Sequence, residues 1–168
     1  WKNNPMQIIE KYQAWADAYK ENQITIVYDT MWQSTRKMAE AIAEGILAED
    51  NSVTVKIYNA AKEDKNDILT EIFQSKAVLV GSPTINYGYS YAIAGILEMA
   101  RGLKLKGKKA AAFGSYGWSG DAPKLINAHL QEAGFELVDD GIKALWVPDE
   151  DALATCRDYG EAFAKATK

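Results

Sequence analysis

"YDTMWQSTRKMAEAIAEGI", residues 28–46, passes without a break from a strand-like stretch into a helix-like one. The join is a turn, residues 30–35, with three hydroxyl side chains (Thr30, Ser34, Thr35) and no glycine. Working outward, "ITIVYD" (24–29) reads as the strand before it, and a helix is expected over 34–49. The same alternation continues along the chain. "VTVKIYN" (53–59), "AVLVG" (77–81), "KAAAFGS" (109–115) and "IKALWV" (142–147) read as strands. Helices are expected over 65–73, 91–101, 122–133 and 150–166, with Gly134 placed to end the helix over 122–133, the fourth core helix counting from 34–49, in a left-handed cap. "VDDG" (138–141) interrupts what would otherwise be one long last strand.

Strands at 24, 77 and 109 are near-continuous apolar runs, the pattern of a parallel sheet covered on both faces. The fold class is therefore α/β, a doubly wound five-stranded parallel sheet. One further helix precedes it: "NPMQIIEKYQAWADAY" (4–19) has Asn4 as a cap, Pro5 at the first helical position and apolar residues at helical spacing.

The chain has 168 residues, 48% hydrophobic and 25% charged, which suits one soluble domain. A formal net charge of -4 and a pI near 5.1 speak against a nucleic-acid partner. Cys156 is the single cysteine, so no internal disulfide forms, and a cytoplasmic location is expected. No apolar run approaches the roughly 20 residues of a membrane span. The start at Trp1, with helix-like sequence almost at once, suggests a piece of a larger protein.

In a doubly wound sheet, ligands bind at the carboxyl ends of the strands, near the point where strand order reverses. The loops after strands one, three and four read "TMWQST" (30–35), "SPTINYGYSY" (82–91) and "SYGWSGDA" (115–122). The first combines hydroxyls with the free N–H groups of a helix start, an anion site suited to a single terminal phosphate. Neither the Gly-rich triphosphate loop nor the dinucleotide glycine fingerprint is present. Plain helix capping is the alternative use of those hydroxyls. The second loop offers Pro83, Gly88 and the Asn86 amide. The third sets Tyr116 and Trp118 among Gly114, Gly117 and Gly120, where backbone approaches a ligand closely. Ordinary rim packing or an oligomer contact would also use such aromatics.

A phosphate at the first loop and a planar heterocycle between the other two describe flavin mononucleotide (FMN). "ITIVYDTMWQSTRKMAEAIAEGI", "VLVGSPTIN" and "AAFGSYGWSGDAPKLINAHLQEAGFEL", with the leading "WKNNPMQIIEKYQAWA", resemble the carboxyl-terminal flavodoxin module of flavo-diiron proteins. That resemblance implies a flavodoxin-like strand order 2-1-3-4-5. Residues 1–22 would be a linker helix from a metallo-β-lactamase-like diiron domain, and residues 23–168 the FMN-binding domain. Thr30, Met31, Trp32, Gln33, Ser34 and Thr35 would wrap the phosphate. Pro83, Thr84, Ile85, Asn86 and Tyr87 would lie along one side of the isoalloxazine. Ser115, Tyr116, Gly117, Trp118 and Gly120 would cover its other side and pyrimidine edge. Trp32 and Gln33 depart from the phosphate loop of short flavodoxins, and Gln33 and Tyr87 from the usual residues of flavo-diiron modules.

The implied role is electron transfer, with rubredoxin or a flavin reductase as donor, a non-haem diiron site reducing oxygen or nitric oxide as acceptor, and a homodimer as the assembly. No metal site is expected within the chain, whose one histidine, His129, lies inside the fourth core helix. Three other readings compete. A free-standing flavin-dependent NAD(P)H:quinone reductase shares the flavin site, and a flavin-free interaction module shares the scaffold. A response-regulator receiver needs an Asp at the end of strand three, where this chain has Gly81-Ser82-Pro83. Cys156 is expected to be a structural thiol. "KLKGKK" (104–109) reads either as a docking patch for an acidic donor or as a solvated loop.

Overall fold

The computed structural model describes residues 4–16 and 19–168. Among them, α1 spans Met6–Ala16, β1 Glu21–Tyr28, α2 Ser34–Glu49, β2 Thr54–Asn59, α3 Lys65–Gln74 and β3 Ser75–Gly81. Then follow α4 (Tyr91–Leu103), β4 (Lys109–Tyr116), α5 (Ala122–Glu132), β5 (Glu136–Leu137), β6 (Ile142–Leu145) and α6 (Glu150–Ala166). All strand pairs are parallel, in the order β2-β1-β3-β4-β5, with β6 also on β4. The expected order 2-1-3-4-5 is thus present, its last position shared by two short strands.

The split has a visible cause. Leu137 pairs with Ala110 and Ile142 with Phe113, so the intervening "VDDG" loops out of the ladder. Asp139 Oδ1 accepts from Gly141 N–H at 2.7 Å and closes that loop.

Strand periodicity divides the core in two. Ile24, Ile26, Leu79, Ala111 and Phe113 face α2 and α6, with Met38, Ile42, Ile46 and Phe163. Val27, Val78, Val80, Ala110 and Ala112 face α3, α4 and α5, with Ile68, Ile72, Ile93, Ile96 and Ile126. Both sheet faces are buried, which is why the strands read as unbroken apolar runs.

Several boundaries differ from expectation. β1 begins at Glu21, inside the segment 1–22 assigned to a linker. "IKALWV" pairs only as far as Leu145, because Trp146 turns to φ 54° and leaves the strand. Residues 1–3 and 17–18 of the leading segment lie outside the described residues. Within α1, Met6, Ile9 and Tyr12 stay exposed. Gly134 does hold the left-handed conformation, φ 97°, just after α5.

In the lysine run 104–109, Lys104, Lys108 and Lys109 bond within the protein, while Lys104 and Lys106 stay exposed. Lys104 Nζ donates to Glu132 O at 3.1 Å, and Lys109 Nζ donates to Ala166 O. Lys108 is buried and donates to Ser75 O at 2.7 Å and Tyr19 O at 3.3 Å. Burial lowers the Lys108 pKa to about 8. The run also precedes β4, at the opposite end of the sheet from the three loops.

Candidate functional site

The three loops meet where the chain after β1, β3 and β4 leaves the sheet. In the first, Trp32 and Gln33 both take positive φ, 55° and 64°, so the turn is made without glycine. Gln33 is the residue before α2 and makes no side-chain cap bond. The hydroxyls do not cap the helix in the ordinary way either. Thr30 Oγ1 accepts weakly from Arg36 N–H at 3.4 Å, and Ser34 lies inside the first turn with its hydroxyl unbonded among the described residues. The N–H groups of Met31, Trp32, Gln33 and Thr35 donate to no acceptor among the described residues. Free donors at a helix start, with the positive end of its dipole, favour an anion.

Thr35 is turned inward. It is fully buried, and its Oγ1 lies 3.0 Å from Ser115 Oγ, which pins the start of α2 to the end of β4. The second loop is fixed by Ser82, whose hydroxyl donates to Pro83 O at 2.8 Å and accepts from Ser90 N–H at 2.9 Å. Thr84 N–H donates to Ser115 O at 2.8 Å, and Thr84 Oγ1 accepts from Ala122 N–H at 3.2 Å. Asn86 and Tyr87, φ 49° and 62°, form the centre of a tight turn closed by mutual bonds between Ile85 and Gly88. Two successive residues of positive φ mark a type I′ turn.

Met31, Trp32, Ser34, Pro83, Thr84, Ser115, Tyr116 and Gly117 line one cavity of about 240 Å³. A smaller hollow of about 140 Å³, between Asn86, Tyr87, Trp118 and Ser119, shares Thr84 and Gly117 with it. Thr30, Gln33, Thr35 and Ile85 do not line these spaces, and Gly120 lines a separate cavity beside α5. Trp32 is 86% exposed, Trp118 82% and Tyr87 71%, so large aromatic faces stand open at the rim. Aromatic faces left open in this way offer stacking surface to a planar ligand.

Sequence reasoning missed Trp146 and Val147, which complete the larger cavity. Trp146 N–H donates to Tyr116 O at 2.8 Å, and a Cβ on Gly117 would sit 3.2 Å from the indole. The available signal was the carboxyl end of the last strand, β6, where the same strand-end rule applies.

No charged residue occurs in 30–35, 82–91 or 115–120. Apart from Gln33, their polar contributions are hydroxyls, the Asn86 amide and backbone. The N–H groups of 117–120 donate to nothing among the described residues. His129 is outside the site, edge-on to the Tyr89 ring at 5.8 Å and 3.6 Å from Glu132. Cys156 is buried beneath α2, and burial pushes its thiol up to about 11. No group of three His, Cys, Asp or Glu stands together among the described residues. This arrangement suits the binding and orienting of a phosphate-bearing ring.

Comparison with known proteins agrees. The flavodoxin family model matches residues 26–160. The chain is 53% identical over 165 residues to the anaerobic nitric oxide reductase flavorubredoxin of Vibrio vulnificus, covering 98% of this chain and 33% of that protein. The rubredoxin oxygen:oxidoreductase of Desulfovibrio gigas superposes with a TM-score of 0.91 at 33% identity, over 98% of this chain and 41% of that one. The flavodiiron protein of Giardia intestinalis gives 0.88 at 28% identity, over 95% and 39%. The chain thus spans about a third of the length of the curated relatives it matches. The family's cofactor is FMN, and the free N–H donors, hydroxyls and uncharged aromatic rim fit it. On the family match and on the geometry of its three loops, this chain belongs to the flavodoxin family.

Proposed function

We propose that this chain is the electron-transferring FMN module of a larger flavo-diiron protein. It takes electrons from a rubredoxin-type donor or a flavin reductase and passes them to a diiron site, on a separate domain, that reduces oxygen or nitric oxide. The observation that carries this reading is the charge-free, aromatic-rimmed site with unpaired N–H donors at both the phosphate loop and the ring loop.

Bound FMN supplies the redox chemistry, and the chain supplies position and environment. Met31, Trp32, Gln33 and Thr35 hold the phosphate through backbone N–H groups, with Thr30 and Ser34 adding hydroxyls. Pro83, Thr84, Ile85, Asn86 and Tyr87 form one wall of the ring site, and the tight turn at Asn86-Tyr87 presents backbone polar groups to the ring edge. On the other side, Ser115, Tyr116, Gly117 and Trp118 form the second wall, with 117–120 offering N–H groups to the pyrimidine. Gly120 closes that loop. The exposed indoles of Trp32, Trp118 and Trp146 shield the ring from water on the outer side.

The proposed acceptor is a diiron site on a separate domain of the larger protein. Assembly as a homodimer and a cytoplasmic location belong to the same proposal. No helix among the described residues is long and apolar enough to cross a membrane.

Absorption spectra before and after FMN addition and removal of excess test the core of it. Flavin bands should stay with the protein and bleach on reduction by rubredoxin. Ser34→Ala and Trp118→Ala should each weaken FMN binding. A colourless chain that never retains FMN overturns the reading, and steady NADH-dependent quinone turnover by the chain alone would favour a free-standing reductase instead.

A further inference from the structure

We propose that Lys143 is a potential-setting residue: its fixed, unpaired positive charge stands beside the loop that covers the flavin's pyrimidine edge and favours the reduced cofactor. The inference rests on the FMN reading above.

Three observations place the charge. β6 brings Lys143 into register with Gly114, one step before the loop that begins at Ser115. Its Nζ lies 5.5 Å from the centroid of the Tyr116 ring, a cation–π contact that limits where the ammonium can go. Its stem passes close to the far end of the same loop, because a Cβ on Gly120 would stand 3.3 Å from Lys143 Cδ and 3.2 Å from Tyr116 Cγ. The side chain is therefore held against both ends of the loop rather than swinging free.

Its charge is also not cancelled. Lys143 forms no ion pair among the described residues. Asp139 accepts from Gly141 N–H and the Tyr159 hydroxyl rather than from Lys143. Asp140 shares a cavity lining with Lys143 and Asp121 precedes α5, but neither pairs with it. Arg36, at the phosphate end, is already paired with Glu40 at 2.7 Å. The three loops carry no charge of their own from 30 to 35, 82 to 91 and 115 to 120, so the positive charge beside the third loop comes from Lys143 and from Lys124, which line one cavity with Gly120 and Asp140 on the α5 side of that loop.

Uptake of two electrons and one proton leaves the flavin one unit more negative. A nearby cation then binds the reduced form more tightly than the oxidised one, and by linkage the midpoint potential rises. Because Lys143 is exposed, the effect weakens as salt is added.

The test uses the full chain loaded with FMN, comparing wild type with Lys143→Gln, Lys143→Glu and Lys143→Arg. The readouts are the midpoint potential, from dye-equilibrated titration, and the dissociation constant of oxidised FMN. Affinity for reduced FMN should fall several-fold relative to oxidised FMN in the Gln variant, fall further in the Glu variant, and be retained in the Arg variant. Each tenfold change equals about 30 mV for a two-electron couple. The differences should shrink between low and high salt. Equal potentials in all four proteins, each with FMN bound, overturn the role of Lys143 and leave the FMN reading intact. Equal weakening of both redox forms assigns Lys143 to packing alone and also overturns it. Failure of the wild-type chain to bind FMN removes the underlying reading, and this inference with it.

Discussion

Replacing Gly160 by Ala sets helix propensity against packing, and the structure predicts which wins. A helix-interior Gly→Ala change ordinarily stabilises by about 1 kcal/mol. Here the new Cβ would lie 2.1 Å from Ile42 O and 3.0 Å from Ile42 C, and a Cβ on Gly45 would meet Arg157 O at 1.9 Å. α2 and α6 therefore touch backbone to backbone, with no flexible side chain able to yield. To admit the methyl group the helices must part by about 1 Å, beyond which contacts of this kind lose a large share of their attraction. Ile42, Ile46 and Phe163, all fully buried, sit in the same core. Overpacking costs about 1–3 kcal/mol, and the rigid carbonyl puts this site at the upper end. The net loss is about 2 kcal/mol, which for a chain of this size lowers Tm by about 4–8 °C.

Thermal and urea unfolding followed by circular dichroism would measure it. Gly102 provides the control, since it is also helical, in α4, but a Cβ there meets nothing within 4 Å. Gly102→Ala should match or exceed wild-type stability. A Gly160→Ala protein as stable as wild type would falsify the backbone-contact argument. The same change should weaken FMN binding, because α2 carries the proposed phosphate loop at its start.

Other outcomes follow from single groups. Lys108 has a folded pKa lowered to about 8 from the ordinary 10.5, so the unfolded chain keeps its proton to higher pH. Stability should therefore rise as pH climbs from about 8 towards 10.5, and Lys108→Met should remove that rise when unfolding free energies are compared across the window. Thr35→Val keeps the shape but strands the Ser115 hydroxyl in a buried position, and urea titration should show a loss of about 1–2 kcal/mol. Cys156, buried with its thiol pushed up to about 11, should resist a disulfide reagent in the native chain and react at the rate of unfolding. Prompt labelling under native conditions would contradict its placement.

Much of the architecture was legible from residue order, because apolar periodicity is a local property. Ile24 to Tyr28, Ala77 to Gly81 and Lys109 to Ser115 read as strands buried on both sides, and α2 and α6 begin and end where their patterns do. The loops at the strand ends were legible for the same reason: a strand-end rule needs only element order. What chain order could not supply was who meets whom across the sheet. The lysines of 104–109 look alike in a row, yet one lies buried against Ser75 and Tyr19, and two others reach carbonyls on α5 and α6. Trp146 reads as the tail of a strand until the β6–β4 pairing carries its indole over Gly117. Thr35 reads as a hydroxyl donor to the phosphate until Ser115, 80 residues away, pairs with that hydroxyl and leaves only the backbone N–H to offer. Nearest-neighbour periodicity determines which segments are strand or helix and which loops share an end. Only tertiary packing decides which polar groups are already satisfied, and those left free at the strand ends are what a cofactor can bind.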